Sequence, residues 1–250
     1  MNPWIYCHEP RPKARLRLFC FPYAGGGAPV FHSWPDELPQ GVETCVIQLP
    51  GRGTRLLEKP YRRMNSLVIV LARALAPLLD KPFAIFGHSM GAWIGFELAR
   101  RVRRERGLEP CHLFVSGASA PHLPQREMPL HALPENEFID ALRCVTGTPK
   151  EILESEELMR LITPTLRADF AIYETYTYLR RPALSCPITA FGGLKDRRLR
   201  KSDIEAWREE TRGLFGMQMF PGDHFFIHTS TQPLLKLLAR ELGCAVESVG

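Results

Sequence analysis

The stretch that most constrains this chain is Phe83-Ala-Ile-Phe-Gly-His-Ser-Met-Gly-Ala-Trp93. Its first four residues read as a buried strand, and the run from Ala92 to Arg106 favours a helix. Gly87-His-Ser-Met-Gly91 lies between them. A Gly-x-Ser-x-Gly turn joining strand to helix is the nucleophile-elbow pattern. The turn is so sharp that the serine backbone is strained, which lifts its hydroxyl clear of the sheet. Glycines without a Cβ let strand and helix approach each other around it. In an ordinary loop these five residues would be a common coincidence; in this setting they predict that Ser89 is a nucleophile.

The rest of the chain supplies a sheet for that turn. Apolar runs at 16–22, 42–49, 111–116, 187–191 and 217–220 read as further buried strands, most of them running into a Gly- or Pro-rich loop. Helical patterns lie between them: a short piece at 30–38, then 66–79 capped by Ser66, 202–212 and 231–242. The sum is an α/β fold, a mostly parallel sheet wrapped by helices with right-handed crossovers. Between residues 120 and 185 the alternation lapses into a helical insert. Helices are expected at 134–145 and 149–162, and a third at 163–178 opened by Thr163 with Pro164 at its first position. Phe170, Tyr173 and Tyr176 share helical spacing, a stripe that serves either core packing or a lid over an apolar pocket. Residues 1–119 and 186–250 would form the core and 120–185 the lid.

A serine hydroxyl needs a base to take its proton and an acid to orient that base. In the α/β-hydrolase fold the order along the chain is serine, acid, histidine. His224 follows the last strand, where the base belongs; His228 is its nearest rival. Asp196 follows the penultimate strand and is the favoured acid, since Asp203 falls inside a helix and Asp223 adjoins His224. The oxyanion donors by position are the Met90 N–H and one from Tyr23 or Ala24, in the glycine-rich loop 23–27. Arg52 and Arg55 also follow a strand and are expected to border the same face.

Composition excludes several other classes. At 250 residues, 45% hydrophobic and 24% charged, the chain suits one globular domain with an insert. No apolar run is long enough to span a bilayer, and the first residues lack a signal-peptide core. Seven cysteines without CxxC or metal-ligand spacing suggest a reduced, cytoplasmic protein without a metal. The net charge of +5 is mild. Its two clusters, 100–106 and 195–201, have no interleaved aromatics, so nucleic acid is not the expected partner. The first reads as a solvated helix end. Arg197, Arg198, Arg200 and Lys201 follow the acid and suit an acidic protein partner near the site entrance.

At this point the chain resembles the type II (editing) thioesterases that accompany nonribosomal peptide and polyketide synthases. The matching segments are Phe21-Pro-Tyr-Ala-Gly-Gly26, Leu49-Pro-Gly-Arg52, Phe86-Gly-His-Ser-Met-Gly91, Leu166-Arg-Ala-Asp169, Phe191-Gly-Gly193 with Asp196, and Gly222-Asp-His-Phe-Phe226. Tyr23 stands where many members have histidine. The resemblance implies a Ser89, Asp196, His224 triad, an oxyanion hole from Ala24 and Met90, and a mobile helical lid. It further implies hydrolysis of acyl thioesters from phosphopantetheinyl carrier proteins, with no cofactor beyond the arm on the substrate. Two other readings are a small-ester hydrolase or lipase, and a hydrolase-fold protein that binds without catalysis.

Overall fold

The computed structural model describes residues 2–126, 128–144 and 150–248. In chain order the strands are β1 (Ile5–Tyr6), β2 (Leu16–Phe21), β3 (Val42–Ile47), β4 (Phe83–His88), β5 (His112–Ser116), β6 (Ile188–Gly193) and β7 (Phe215–Phe220). They form one sheet in the order β1-β3-β2-β4-β5-β6-β7, parallel throughout except for β1 against β3. β3 lies on one side of β2, and the chain then crosses to the other side for β4. The winding therefore reverses at the β2–β4 pair, the place where open α/β sheets bind ligands at strand C-termini. Phe21 pairs with Gly87 there, so the loops that leave β2 and β4 start side by side.

The helices are α1 (Trp34–Glu37), α2 (Met64–Leu75), α3 (Met90–Arg106), α4 (Glu135–Cys144), α5 (Lys150–Leu153), α6 (Glu156–Glu174), α7 (Lys201–Glu205), α8 (Phe226–Thr229) and α9 (Thr231–Ser248). Strand alternation divides the core in two. Phe19 and Phe21 face α2 and α3, which bury Leu67, Leu71, Ile94 and Leu98. Leu16, Leu18 and Cys20 face Phe31, Trp34 and the α9 leucines Leu234, Leu235, Leu238 and Leu242. Each of those leucines contributes about 1.5–3 kcal/mol of burial. α3 stops at Gly107, left-handed at φ 69°, whose N–H reaches the Arg103 carbonyl at 2.9 Å.

Several boundaries differ from the sequence expectation. α2 begins at Met64, which is buried, so Ser66 lies inside it; it gives way to a 3₁₀ turn at Ala76–Leu78, where Pro77 removes an N–H. The helix placed at 202–212 ends at Glu205 and continues as a 3₁₀ turn, Ala206–Glu210. α9 extends to Ser248, past the expected 242. Of the two helices expected on either side of Thr163, the first divides into α5 and the opening turns of α6, and α6 runs on through the second; Ser155 caps it, its hydroxyl accepting the Leu158 N–H at 3.3 Å, with Pro164 inside. An internal proline costs about 3 kcal/mol. Here the continuous helix buries Met159, Leu166 and Phe170 against Phe138 and Leu142 of α4, which outweighs that cost. Tyr176 lies beyond the end of α6. The 145–149 part of the insert falls outside the described residues.

The 100–106 cluster is not simply a solvated helix end. Arg100 is buried and binds the Leu179 carbonyl, and Arg103 holds those of Pro182 (2.5 Å) and Ala183 (2.7 Å). These two side chains fasten the return from the insert to α3. No described helix is long and apolar enough to cross a membrane.

One buried group sets a pH dependence. His112 on β5 shares a 2.8 Å hydrogen bond between Nε2 and Thr189 Oγ1 and stacks on Phe114 at 4.1 Å. Burial pushes its pKa from 6.5 down to about 4. The unfolded imidazole gains its proton first, so stability is lost as pH falls from about 6.5 towards 4. At pH 5 the difference of about 1.5 pH units corresponds to about 2 kcal/mol. Urea melts at pH 7 and pH 5 should show His112→Phe losing about 2 kcal/mol less than the wild type over that interval. Equal losses in the two proteins would contradict this account.

Candidate active site

Ser89 has φ 54° and ψ −121°, and among the described residues it is the one non-glycine with positive φ. Such a conformation costs on the order of 1–3 kcal/mol and persists only where its surroundings enforce it. Its N–H donates to the Ser116 carbonyl at 2.7 Å and its own carbonyl accepts from Ala92 at 2.9 Å. A Cβ on Gly87 would lie 2.2 Å from the Gly91 carbonyl oxygen, and one on Gly91 would lie 2.2 Å from that of Phe21. The elbow is thus folded against β2 with no room for side chains at those two positions.

The loops after β6 and β7 bring the other groups to this turn. His224 Nε2 lies 3.1 Å from Ser89 Oγ, and His224 Nδ1 lies 2.8 Å from Asp196 Oδ2. A carboxylate only accepts, so Nδ1 carries the proton and Nε2 presents its lone pair to the serine hydroxyl. The other Asp196 oxygen accepts the Arg198 N–H at 2.9 Å. Burial pushes the Asp196 pKa upward; the His224 hydrogen bond and charge, with Arg198, outweigh it and hold the group below the ordinary carboxylate value. The histidine and aspartate side chains are 6% and 1% exposed, so their interaction is little weakened by water.

His88, the residue before Ser89, supports this arrangement. It is fully buried, donates from Nε2 to the His224 carbonyl at 3.0 Å, and at Nδ1 meets Ser116 Oγ at 2.8 Å. Burial first, and the nearby His224, drive its pKa well down, so the ring is neutral. A neutral ring donating from Nε2 accepts the Ser116 hydroxyl at Nδ1. His228, the rival base, instead shares a 2.9 Å hydrogen bond with Tyr23 Oη.

Met90 is the first residue of α3 and Ala24 lies in the loop beside it after β2. Among the described residues neither N–H has a hydrogen-bond acceptor, whereas the flanking Gly25 and Gly26 N–H groups are engaged. Two spare donors near a helix N-terminus suit a developing oxyanion. A cleft opens at this point, walled by Met90 and Trp93 of α3, by Leu123 and Arg126, and by Tyr173 and Glu174 at the end of α6. Arg198 lines it as well, while Arg197, Arg200 and Lys201 lie exposed outside. Arg52 and Arg55, expected to border the active-site face, do not line this cleft. Both are buried, Arg52 against Asp169 and Arg55 against Glu58 and the Trp4 ring.

A serine hydroxyl within hydrogen-bond reach of an imidazole at the topological switch of a parallel sheet, beside spare backbone donors, is the arrangement of a serine hydrolase of the α/β-hydrolase fold. Residues 16–242 match the thioesterase domain family, and the chain belongs to it. It is 43% identical over 242 residues to the gramicidin S biosynthesis protein GrsT of Aneurinibacillus migulanus, across 97% of this chain and 94% of that protein. Among solved structures, RedJ, the thioesterase from the prodiginine pathway of Streptomyces coelicolor, superposes with a TM-score of 0.86 at 40% identity, covering 93% of this chain and 92% of its own. The type II thioesterase BorB, from the borrelidin biosynthetic cluster, gives the same TM-score at 36% identity, covering 96% and 97%.

Proposed function

We propose that this chain is a type II thioesterase that clears stalled or misprimed acyl groups from the phosphopantetheine arms of nonribosomal peptide or polyketide carrier proteins. The observation that carries the reading is the 2.8 Å and 3.1 Å pair of contacts that joins Asp196, His224 and Ser89 beside the cleft. Ser89 Oγ attacks the thioester carbonyl carbon while His224 Nε2 takes its proton. The tetrahedral oxyanion rests on the Met90 and Ala24 N–H groups. Collapse breaks the carbon–sulfur bond, and the departing phosphopantetheine sulfur receives the proton from His224. Water, deprotonated by the same imidazole, then opens the acyl-enzyme and restores Ser89, leaving a free acid and a carrier thiol. Every step uses side chains and backbone of this chain, so the reaction requires no metal or redox cofactor.

In this reading residues 1–119 and 186–250 are the catalytic core and 120–185 the lid. Leu123, Arg126 and Tyr173 would meet the acyl group. The exposed Arg197, Arg200 and Lys201 would meet an acidic carrier domain, and nucleic acid and membrane would not be partners. Free thiols at Cys7, Cys20, Cys45, Cys111 and Cys186 suit a reducing, cytoplasmic setting.

A hydrolysis panel tests the proposal, with acylated carrier proteins, matching N-acetylcysteamine thioesters and matched oxygen esters as substrates. Carrier thioesters should turn over faster than oxygen esters, and Ser89→Ala should abolish both. Reversing Arg197, Arg200 and Lys201 to glutamate should raise KM for the carrier substrate by roughly tenfold and spare the small thioester. Preference for oxygen esters would sink the thioesterase assignment, and equal KM effects would sink the docking surface.

A further inference from the structure

The spare N–H of Ala24 has to be aimed, and the residues that aim it lie outside the triad. The Tyr23–Ala24 peptide is planar, so its N–H direction is fixed once its carbonyl is fixed. Tyr23 O accepts the Gly26 N–H at 2.9 Å. The next peptide is held from the insert: Asp169 Oδ2 on α6 accepts the Gly25 N–H at 2.7 Å. The other Asp169 oxygen accepts from Arg52 Nη2 at 2.6 Å, and Arg52 Nη1 donates to the Gly26 carbonyl at 2.9 Å. Asp169 is 1% and Arg52 8% exposed, so the pair is set in the protein interior. Leu166, one turn earlier on α6, packs so closely on Gly25 that a Cβ there would lie 2.6 Å from its Cδ2. Both peptides that flank the Ala24 Cα are therefore pinned, one of them by a carboxylate 145 positions away in sequence from Ala24.

We propose that Asp169, buttressed by Arg52, is the positioning residue for the oxyanion donor Ala24. The inference rests on the serine-hydrolase reading above and assigns α6 a task within it. The charge pair does not touch substrate; it keeps the glycine-rich loop from relaxing into a conformation in which the Ala24 N–H points away. α6 is also the helix that presents Tyr173 to the cleft, one turn beyond Asp169 on the same face. One rigid element thus sets both the wall of the acyl site and the donor for the transition state.

The test compares the full-length wild type with Asp169→Ala and Asp169→Asn on an acyl-N-acetylcysteamine thioester. Affinity is also measured for the matching acyl trifluoromethyl ketone, whose adduct with Ser89 carries a tetrahedral alkoxide. Losing one oxyanion donor costs on the order of 10²-fold, so kcat of Asp169→Ala should fall and the ketone Ki should rise by about that factor. KM should stay within about twofold, because the ground-state carbonyl depends little on this donor. Concentrations are normalised by fluorophosphonate titration, so partial unfolding does not imitate the effect. Where Asp169→Ala fails to fold, the isosteric Asp169→Asn decides. Its amide nitrogen offers no acceptor where one of the two carboxylate oxygens stood, so either Gly25 or Arg52 loses its partner, and about tenfold losses in kcat and ketone affinity are expected. A folded Asp169 variant with wild-type ketone affinity, or with its loss confined to KM, overturns the positioning role. Hydrolysis that survives Ser89→Ala would instead overturn the underlying serine mechanism, so the two failures are distinct.

Discussion

Ser89→Ala is expected to lower kcat for thioester hydrolysis by roughly 10⁴ to 10⁶ while leaving the fold intact. In the proposed mechanism this hydroxyl forms the acyl-enzyme, and no other described hydroxyl shares a hydrogen bond with His224 Nε2. His224→Ala should cost about as much, because an un-ionised serine at neutral pH is a weak nucleophile. The informative variant is the double one. Groups that act as a unit are not additive, so Ser89→Ala with His224→Ala should be no slower than either single change to within about threefold. Asp196→Asn should cost on the order of 10⁴, since an amide can hydrogen-bond the other ring tautomer and leave Nε2 protonated. The pH profile supplies a check. Asp196 is held below the ordinary carboxylate value, so it remains an acceptor through the range where a free aspartate titrates. The kcat/KM profile of the wild type should therefore show no inflection in the range where a free aspartate titrates. Stopped-flow detection of released thiol measures the wild type and all four variants, and multiplicative loss in the double variant would show that the two side chains do not act as a relay.

What the sequence revealed, and what it hid, divides along a physical line. Strands buried on both faces of a parallel sheet are apolar throughout and end at glycine or proline, so β2, β4, β5 and β6 could be read directly. The loops after β2, β4, β6 and β7 open at one edge of the sheet because all four strands point the same way, which makes Ser89, Asp196 and His224 candidates from strand order alone. Local signals failed where tertiary packing decides. Pro164 reads as a helix start, yet α6 runs through it because Met159, Leu166 and Phe170 need one continuous face. β1 is a two-residue edge strand, Ile5–Tyr6, with no periodicity to detect. At its strand end Arg52 reads as a residue of the active-site face; its buried partner Asp169 is 117 residues away, and nothing local marks such a pair. His88 sat in plain view within the elbow, but its hydrogen bond to the His224 carbonyl spans 136 residues.

Gly91→Ala should do more damage than its chemistry suggests. By helix propensity alone, alanine in the first turn of α3 would stabilise by up to about 1 kcal/mol. The local geometry reverses the sign. The added Cβ would lie 2.2 Å from the Phe21 carbonyl oxygen and 2.6 Å from that of Pro22. Both atoms are backbone at the end of β2, so no side-chain rotation relieves the contact, and ordinary separation needs a shift of about 1 Å between α3 and that strand. Forced displacement of this kind in a close-packed core is expected to cost more than about 3 kcal/mol. The same shift separates the Met90 N–H from the Ala24 loop and tilts Ser89, and misplacements of about 1 Å cost around 10²-fold in rate. Gly107→Ala, at the other end of the same helix, is the control. It has nothing within 4 Å and its φ of 69° strains an alanine by only about 1–2 kcal/mol. Urea unfolding and kcat measured on both variants should find Gly107→Ala mildly destabilised with wild-type kcat, and Gly91→Ala both unstable and slow. A Gly91→Ala enzyme as stable as Gly107→Ala would mean that α3 has freedom to move off β2, and that the elbow is not held by the close approach described here.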